Sequence, residues 1–273
     1  MVNNVSGCRT GLRGLTMDVP DLTRLLDFAV ESAHLAGALT LEHFRSGTRV
    51  ELKTDNTPVT AADRAAEELL RGRIAAAFPE HGIIGEEFGE CPARTPGRWI
   101  LDPIDGTVSF VSGVPLYSVL VAFEWAGEPL VGVLHLPALG ETIWAARGLG
   151  CRCNGQPAHV SPVRTLSEAR LVLTSAKLMY RCGRGAQYER LLAACKLDRG
   201  WSDAYGYGLL ATGRAEVVLD PIMSVWDTAA LVPIVTEAGG TVTDWSGRPT
   251  HTAPDILATN GHLLEAVLET IGG

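Results

Sequence analysis

The sequence of 273 residues lacks long apolar runs and an excess of basic residues. No stretch of about 18 consecutive apolar residues occurs, so no membrane-spanning helix is expected. Lys and Arg number 23 against 31 Asp and Glu, which gives a net charge of −8. This acidic balance argues against nucleic acid and acidic membrane surfaces as partners. The start shows no apolar core of a signal peptide, so a cytoplasmic location is expected.

Motifs that rest on cysteine, histidine or serine are also missing. None of the six cysteines forms a Cys-x-x-Cys pair, which argues against a zinc site, and reduced thiols are expected. Cys151 and Cys153 are expected as neighbours on opposite faces of a strand. No Gly-x-Ser-x-Gly, His-Glu-x-x-His or phosphate-loop motif occurs, and the single Trp-Asp pair has no repeat around it. The residues expected to carry the chemistry are therefore mainly aspartates and glutamates.

Two aspartates follow a short apolar run in the middle of the chain. The run at 99–101 predicts a buried strand with Asp102 at its carboxyl end. Asp105 follows across a tight turn, and Thr107 is expected to cap a helix. Sheets of α/β proteins bind ligands where strands end. An isolated pair of this kind is equally typical of an Asx turn, in which both carboxylates accept hydrogen bonds from nearby amides.

Three further acidic positions lie at predicted element ends. Glu86 follows an apolar strand at 82–85, and Asp227 lies near the start of a helix expected at 226–238. Asp63 stands three residues after Thr60 in the pattern of a capping box. Each position alone is explained by local structure. Together they supply the oxygen ligands that Mg²⁺ requires, and two such ions can clamp a phosphoryl transfer.

Apolar periodicity indicates how the chain is organised. Helical spacing predicts a long amphipathic helix from Leu22 to about Ser46-Gly47. Short strands between 116 and 146 predict an antiparallel meander, and helices alternate with strands after it. The predicted divisions are a disordered extension at 1–16, an N-terminal half at 17–160 with most of the carboxylates, and a C-terminal half at 161–273 with Asp227.

Four motifs stand in an order that resembles the inositol monophosphatase family of metal-dependent, lithium-sensitive phosphatases. They are Pro58-Val59-Thr60-x-x-Asp63, Gly85-Glu86-Glu87, Asp102-Pro103-Ile104-Asp105-Gly106-Thr107, and Trp226-Asp227 followed by Glu237-Ala238-Gly239-Gly240. Each motif is weak alone, and their order makes the resemblance specific. The resemblance implies an α/β fold, a layered αβαβα sandwich, and often a homodimer.

The resemblance also implies two to three bound Mg²⁺ ions. Glu86, Asp102 and the Ile104 carbonyl are expected to bind the first ion. Asp102, Asp105 and Asp227 are expected to bind the second. A third, looser ion is expected near Glu86 through water.

Further roles follow from the same resemblance. The amides of Gly106 and Thr107 are expected to bind the phosphate at a helix N-terminus. Asp63 and Thr107 are expected to orient the attacking water, with Glu86 completing the catalytic group. The sequence departs from the family where Val108-Ser109-Phe110 follow, which alters packing of the loop and removes no expected ligand.

The stretch at 199–208 resembles the branch of the family that hydrolyses L-histidinol phosphate, a step of histidine biosynthesis. Asp203 in this stretch, and Asp220 seven residues before Asp227, are expected to bind the substrate. A helix cap at Asp203 explains the same pattern. An inositol-1-phosphate phosphatase or a broad phosphatase of sugar and nucleotide phosphates is a second hypothesis. A catalytically idle, cation-binding regulatory relative is a third.

Overall fold

The computed structural model describes residues 20–45, 50–52, 58–201 and 203–273. The extension expected at 1–16 lies outside these residues. The helices within them are α1 (Leu22–His43), α2 (Ala61–Ala77), α3 (Thr107–Val111), α4 (Ala176–Arg181), α5 (Gly185–Ala194), α6 (Asp203–Ala211), α7 (Val225–Thr228), α8 (Leu231–Glu237) and α9 (Leu264–Gly272). The strands are β1 (Val50–Leu52), β2 (Pro58–Thr60), β3 (Gly82–Gly85), β4 (Gly89–Cys91), β5 (Gly97–Asp105), β6 (Ser118–Trp125), β7 (Glu128–Leu136), β8 (Glu141–Ala146), β9 (Gly150–Cys153), β10 (Gln156–Pro157), β11 (Arg170–Leu173), β12 (Leu197–Arg199), β13 (Val217–Asp220), β14 (Thr241–Thr243) and β15 (Ile256–Thr259).

Two large sheets and three helical layers build the layered sandwich. The first sheet has the order β10-β9-β8-β7-β6-β5-β3-β4, and the second has the order β12-β11-β13-β15-β14. Helices α1 and α2 pack on the outer face of the first sheet. Helices α6 and α8 lie between the sheets, and α5 and α9 cover the far face of the second. The expected α/β sandwich is confirmed, while the division of the chain near residue 160 stays a prediction.

The strand β5 connects the outer core to the inner one. Trp99 and Leu101 pack against α1 and α2, whereas Ile100 faces the layer between the sheets. Side chains alternate along a strand, so Asp102 is directed to the same inner side as Ile100. The meander predicted between 116 and 146 is present, because β6, β7 and β8 pair antiparallel in chain order. Strands β5 and β9 extend it on either side.

The structure corrects the predicted end of β5. The strand continues to Asp105, and its register against β6 shifts between Asp102 and Asp105. Asp102 pairs with Leu120 and Asp105 pairs with Ser118, which leaves one extra residue in β5. Pro103 has no amide hydrogen, and a bulge is where a strand tolerates it. The bulge therefore replaces the turn that the sequence predicts.

Other element boundaries also differ from the sequence prediction. Helix α1 ends at His43, before Ser46. The helix expected at 226–238 is divided into α7 and α8. Pro233 explains this division, because it has no amide hydrogen to donate to the carbonyl of Ala229.

The described cysteines form no disulfide, and Cys8 lies outside the described residues. Cys151 and Cys153 both contact the core between the sheets, so the expectation of opposite faces is wrong. Positions two apart on a strand share a face. None of the described helices is both long enough and apolar enough to cross a membrane.

Candidate active site

Four strand ends meet at one pocket between the two sheets. The parallel strands β3 and β5 end there in the first sheet, and the parallel strands β11 and β13 end there in the second. The carboxyl ends of parallel strands are common ligand sites. The cavity has a volume of about 200 Å³. It is lined by Glu86, Asp102, Ile104, Asp105, Gly106, Thr107, Val108, Thr174, Leu178, Asp203, Ala204, Asp220, Ile222, Met223 and Asp227.

Three aspartates in this pocket each accept a hydrogen bond from a backbone amide with one carboxylate oxygen. Asp102, Asp105 and Asp227 each offer an oxygen such that the three atoms lie within 4.8 Å of one another. Each also accepts a backbone hydrogen bond, as a structural aspartate does. The donors are the amides of Ile104, Ala204 and Ser224, at 3.1, 2.9 and 2.7 Å respectively. The Asx-turn interpretation of Asp102 is therefore compatible with a ligand role, because a carboxylate has two oxygens.

The charge of the pocket is one-sided. Six of its lining residues are acidic, and no lysine, arginine or histidine is among the described residues that line it. Burial raises the pKa of Asp102 well above its usual range, and the charges of Glu86 and Asp105 raise it further. Burial likewise raises the pKa of Asp105, with Asp203 and Asp227 adding to the effect. Divalent cations relieve repulsion of this kind.

Asp63 lies at the start of α2, outside the residues that line the pocket. Its Oδ2 accepts hydrogen bonds from the Thr60 amide at 2.8 Å and from the Thr60 hydroxyl at 2.6 Å. The predicted capping box is confirmed. Its Oδ1 is buried and has no hydrogen-bond partner among the described residues. Burial raises the pKa of Asp63, and the nearby charge of Glu86 raises it further.

Gly106 and Thr107 form the start of α3 at the pocket wall. The cap of this helix is Gly106, in the left-handed region with φ of 78°, so the expectation that Thr107 caps it is wrong. A left-handed cap favours glycine because a Cβ is strained there. The Thr107 hydroxyl instead donates to the Ile104 carbonyl at 3.1 Å. The amides of both residues are at the first turn, where anions are favoured.

Asp203 and Asp220 face the pocket from the second half of the chain. Asp203 begins α6 with φ of 56°, and its amide donates to the Thr174 hydroxyl at 3.1 Å. A Cβ on Gly106 would lie 2.9 Å from Oδ2 of Asp203, so these two residues are in close contact. Asp220 accepts from the buried Tyr207 hydroxyl at 3.0 Å. Burial raises the pKa of Asp220 to about 7.

Several lining residues are not predicted from the sequence. Thr174 follows β11 and hydrogen-bonds to both Asp203 and Asp220. Its hydroxyl accepts from the Asp203 amide, and its own amide donates to the Asp220 carboxylate at 3.3 Å. Its position after a predicted strand is the signal that could have identified it. The remaining unpredicted wall is apolar and carries no comparable sequence signal. It consists of Val108, Leu178, Ala204, Ile222 and Met223.

Named phosphatases are among the known proteins that resemble this chain in sequence and fold. A profile of the Inositol monophosphatase family matches residues 21–272. A histidinol-phosphatase of Chlorobaculum parvum is 48% identical over 83% of this chain and 88% of its own. A histidinol-phosphatase of Streptomyces coelicolor is 38% identical over 92% of this chain and 97% of its own. The solved inositol monophosphatase of Zymomonas mobilis has a TM-score of 0.84 at 31% identity, covering 93% of this chain and 100% of that one.

The chain belongs to the inositol monophosphatase family, as the order of the four motifs predicts. It is a phosphomonoesterase of that metal-dependent family. The hypothesis of a catalytically idle relative is therefore wrong. The family's phosphate monoester substrates fit a pocket that combines clustered aspartates with the N-terminus of a helix.

Proposed function

We propose that this chain is a Mg²⁺-dependent histidinol-phosphatase, which converts L-histidinol phosphate and water to L-histidinol and inorganic phosphate. The observation that carries the proposal is the pocket's six acidic residues, with no basic residue among the described lining residues. Such a pocket is complementary to bound cations and, beyond them, to a positively charged leaving group. Relatives named histidinol-phosphatase at 38–48% identity support the same substrate.

The donor set fits Mg²⁺, because carboxylates and a carbonyl are the hard oxygen ligands that this ion prefers. Glu86, Asp102 and the Ile104 carbonyl would hold one ion, and Asp102, Asp105 and Asp227 a second. A third, looser ion would lie near Glu86 through water. When bound, Mg²⁺ would polarise the phosphate and lower the pKa of a bound water. We propose that Li⁺ inhibits the enzyme as well.

Residues of the chain would position the phosphate and the water. The Gly106 and Thr107 amides would bind phosphate oxygens at the start of α3. The partnerless, buried Oδ1 of Asp63 is an acceptor suited to a water molecule. The Thr107 hydroxyl donates to Ile104, so its oxygen remains able to accept from the same water. Glu86, whose charge acts on Asp63, would complete the catalytic group.

Two carboxylates would select the leaving group. Histidinol phosphate carries an ammonium and an imidazole that protonates near neutral pH. Asp203 would bind the ammonium from the start of α6. Asp220 is fixed by Tyr207 and Thr174, so it would present a preset acceptor at low entropic cost. The neutral hydroxyls of inositol offer these two carboxylates no charge to pair.

A substrate panel tests the proposal. Purified protein with Mg²⁺ is given histidinol phosphate, inositol-1-phosphate, fructose-1,6-bisphosphate or adenosine-3′,5′-bisphosphate, and phosphate release is measured. We expect the highest kcat/KM on histidinol phosphate. A higher value on inositol-1-phosphate would favour the second hypothesis, for which a 32% identical fructose-1,6-bisphosphatase/inositol-1-monophosphatase of Thermotoga maritima is the supporting observation. The cytoplasmic location and the homodimer stay predictions.

A further inference from the structure

The turn that carries Glu86 is held by a buried carboxylate from a distant helix. Glu86 is the first residue after β3, and residues 86–88 connect β3 to β4 in an antiparallel pair. The Glu86 amide donates to the Leu101 carbonyl of β5 at 3.3 Å. The next two amides, of Glu87 and Phe88, donate to the Glu67 carboxylate of α2 at 2.7 and 3.2 Å.

The contact with Glu67 is close and specific. Glu67 is fully buried, and a Cβ on Gly85 would lie 2.0 Å from its Oε1. Only glycine at position 85 therefore lets the carboxylate reach the turn. Arg71 completes the arrangement, because its Nε donates to Glu67 at 2.7 Å and its Nη2 donates to the Gly89 carbonyl. A buried carboxylate is tolerated when it is paired and hydrogen-bonded in this way.

The same helix contributes Asp63 one turn earlier. Residues four apart lie on the same side of a helix, and Asp63 and Glu67 are both fully buried. Helix α2 thus fixes the turn that carries Glu86 and also carries the carboxylate whose Oδ1 has no described partner. A hairpin turn can close by its own backbone hydrogen bonds. The β3–β4 turn therefore does not need the Glu67 carboxylate merely to close.

We propose that Glu67 is a positioning residue that sets the orientation of Glu86 for metal binding, with Arg71 holding Glu67 in place. This rests on the proposed function, because Glu86 acts there as a metal ligand. Groups that orient metal ligands typically change metal affinity about 10- to 100-fold when they are replaced. A role in stability alone would leave metal affinity unchanged.

The test compares Glu67→Gln with Glu68→Gln, its exposed neighbour on α2. Gln keeps the shape of Glu67 but retains a single acceptor oxygen, so it cannot serve Glu87, Phe88 and Arg71 together. The readout is the dissociation constant of Mg²⁺, measured by calorimetric titration of the metal-free protein without substrate. We expect Glu67→Gln to bind Mg²⁺ roughly tenfold more weakly than the wild type, and Glu68→Gln to match the wild type.

A lower Tm of Glu67→Gln with a Mg²⁺ dissociation constant within about twofold of the wild-type value would overturn the positioning role. If Glu67→Gln does not fold, Arg71→Lys replaces it, because Lys keeps the charge and loses the forked donor pair. A folded Arg71→Lys with an unchanged Mg²⁺ dissociation constant would overturn the role as well. A wild-type protein that shows neither Mg²⁺ binding nor phosphate release would overturn the proposed function too, whereas a wild type that binds Mg²⁺ confines the failure to Glu67.

Discussion

The Oδ2 atom of Asp105 accepts a hydrogen bond from the Ala204 amide at 2.9 Å, although 98 residues lie between them in the sequence. The same oxygen accepts from the Ser118 hydroxyl at 2.9 Å. Asp105 ends β5 of the first sheet, and Ala204 lies in the first turn of α6. One proposed metal ligand therefore holds the helix that presents Asp203, so the metal site and the substrate side of the pocket share a residue.

Asp105→Asn should separate the metal-binding role of Asp105 from its hydrogen bond to the Ala204 amide. An asparagine can turn its oxygen toward Ala204 or toward the metal site, but it cannot accept on both sides. We expect kcat to fall about 100-fold or more, because a preorganised charge is lost. Folding should survive, since removing one charge reduces repulsion among the carboxylates of the metal-free protein. The measurements are kcat and a melting curve without metal.

Asp198→Asn is the control for Asp105→Asn, because Asp198 also accepts a side-chain hydrogen bond, from Tyr188, and does not line the pocket. Its kcat should match that of the wild type. A kcat of Asp105→Asn near the wild-type value would remove Asp105 from the site.

Metal removal should abolish activity and lower the thermal stability. Excess EDTA is expected to stop phosphate release, and added Mg²⁺ to restore it, because the clustered carboxylates require a cation. Ca²⁺ should inhibit, since its looser geometry misplaces the water. Mg²⁺ should also raise Tm in the absence of substrate, as any ligand of the native state does. Undiminished turnover in EDTA would contradict the mechanism.

Local signals in the sequence predict much of this fold. The capping box at Thr60 and Asp63 needs residues only three apart, and short turns fix the meander from β6 to β8. Features that depend on distant partners are not predicted. The bulge in β5 depends on its register against β6. The contact of Asp203 with Gly106 joins two halves of the chain, and no local pattern encodes it.

The candidate site shows the same limit. Acidic residues at strand ends are visible in the sequence, because burial and turn signals mark the ends of elements. The backbone hydrogen bond that each clustered aspartate accepts is not visible, since it depends on the amides of Ile104, Ala204 and Ser224. The same aspartates can therefore accept backbone hydrogen bonds and serve as the proposed metal ligands.

Thr107→Ala tests whether the hydroxyl acts in catalysis. The hydroxyl donates to the Ile104 carbonyl, a proposed metal ligand, and in the proposed function its oxygen would accept from the attacking water. We expect kcat to fall about 100-fold with little change in KM, because the interaction matters mainly in the transition state. Thr107→Ser keeps the hydroxyl and should retain most of the activity. A loss of about 1 kcal/mol in stability with intact kcat would mean a structural role only.

Acid should destabilise the protein through His135, away from the pocket. This imidazole is buried beside His34, and burial lowers its pKa to about 4, with the charge of His34 acting in the same direction. The unfolded chain, with an ordinary histidine pKa of about 6.5, binds more protons between these values. The contribution of His135 to the free energy of unfolding is therefore fully present above pH 6.5 and is lost as the pH falls toward 4, by about 3 kcal/mol.

The check on His135 is urea unfolding between pH 4 and 7. His135→Asn should flatten the dependence of the unfolding free energy on pH, because the titrating imidazole is gone. His262→Asn replaces an exposed histidine and serves as the matched control. Parallel pH curves for His135→Asn and the wild type would contradict the assignment.

Asp203→Asn should reduce selectivity for a cationic leaving group. Asparagine tolerates the left-handed backbone of position 203, where φ is 56°, so the start of α6 should keep its conformation. A hydrogen-bonded ammonium–carboxylate pair contributes roughly 1.5–3 kcal/mol. We therefore expect kcat/KM on histidinol phosphate to fall about tenfold to a hundredfold. Activity on glycerol-2-phosphate should change little, because its leaving group is neutral and the metal ligands are intact. Equal losses on both substrates, together with a lower Tm, would show that Asp203 only caps α6, and the histidinol assignment would then lose its main support in the pocket.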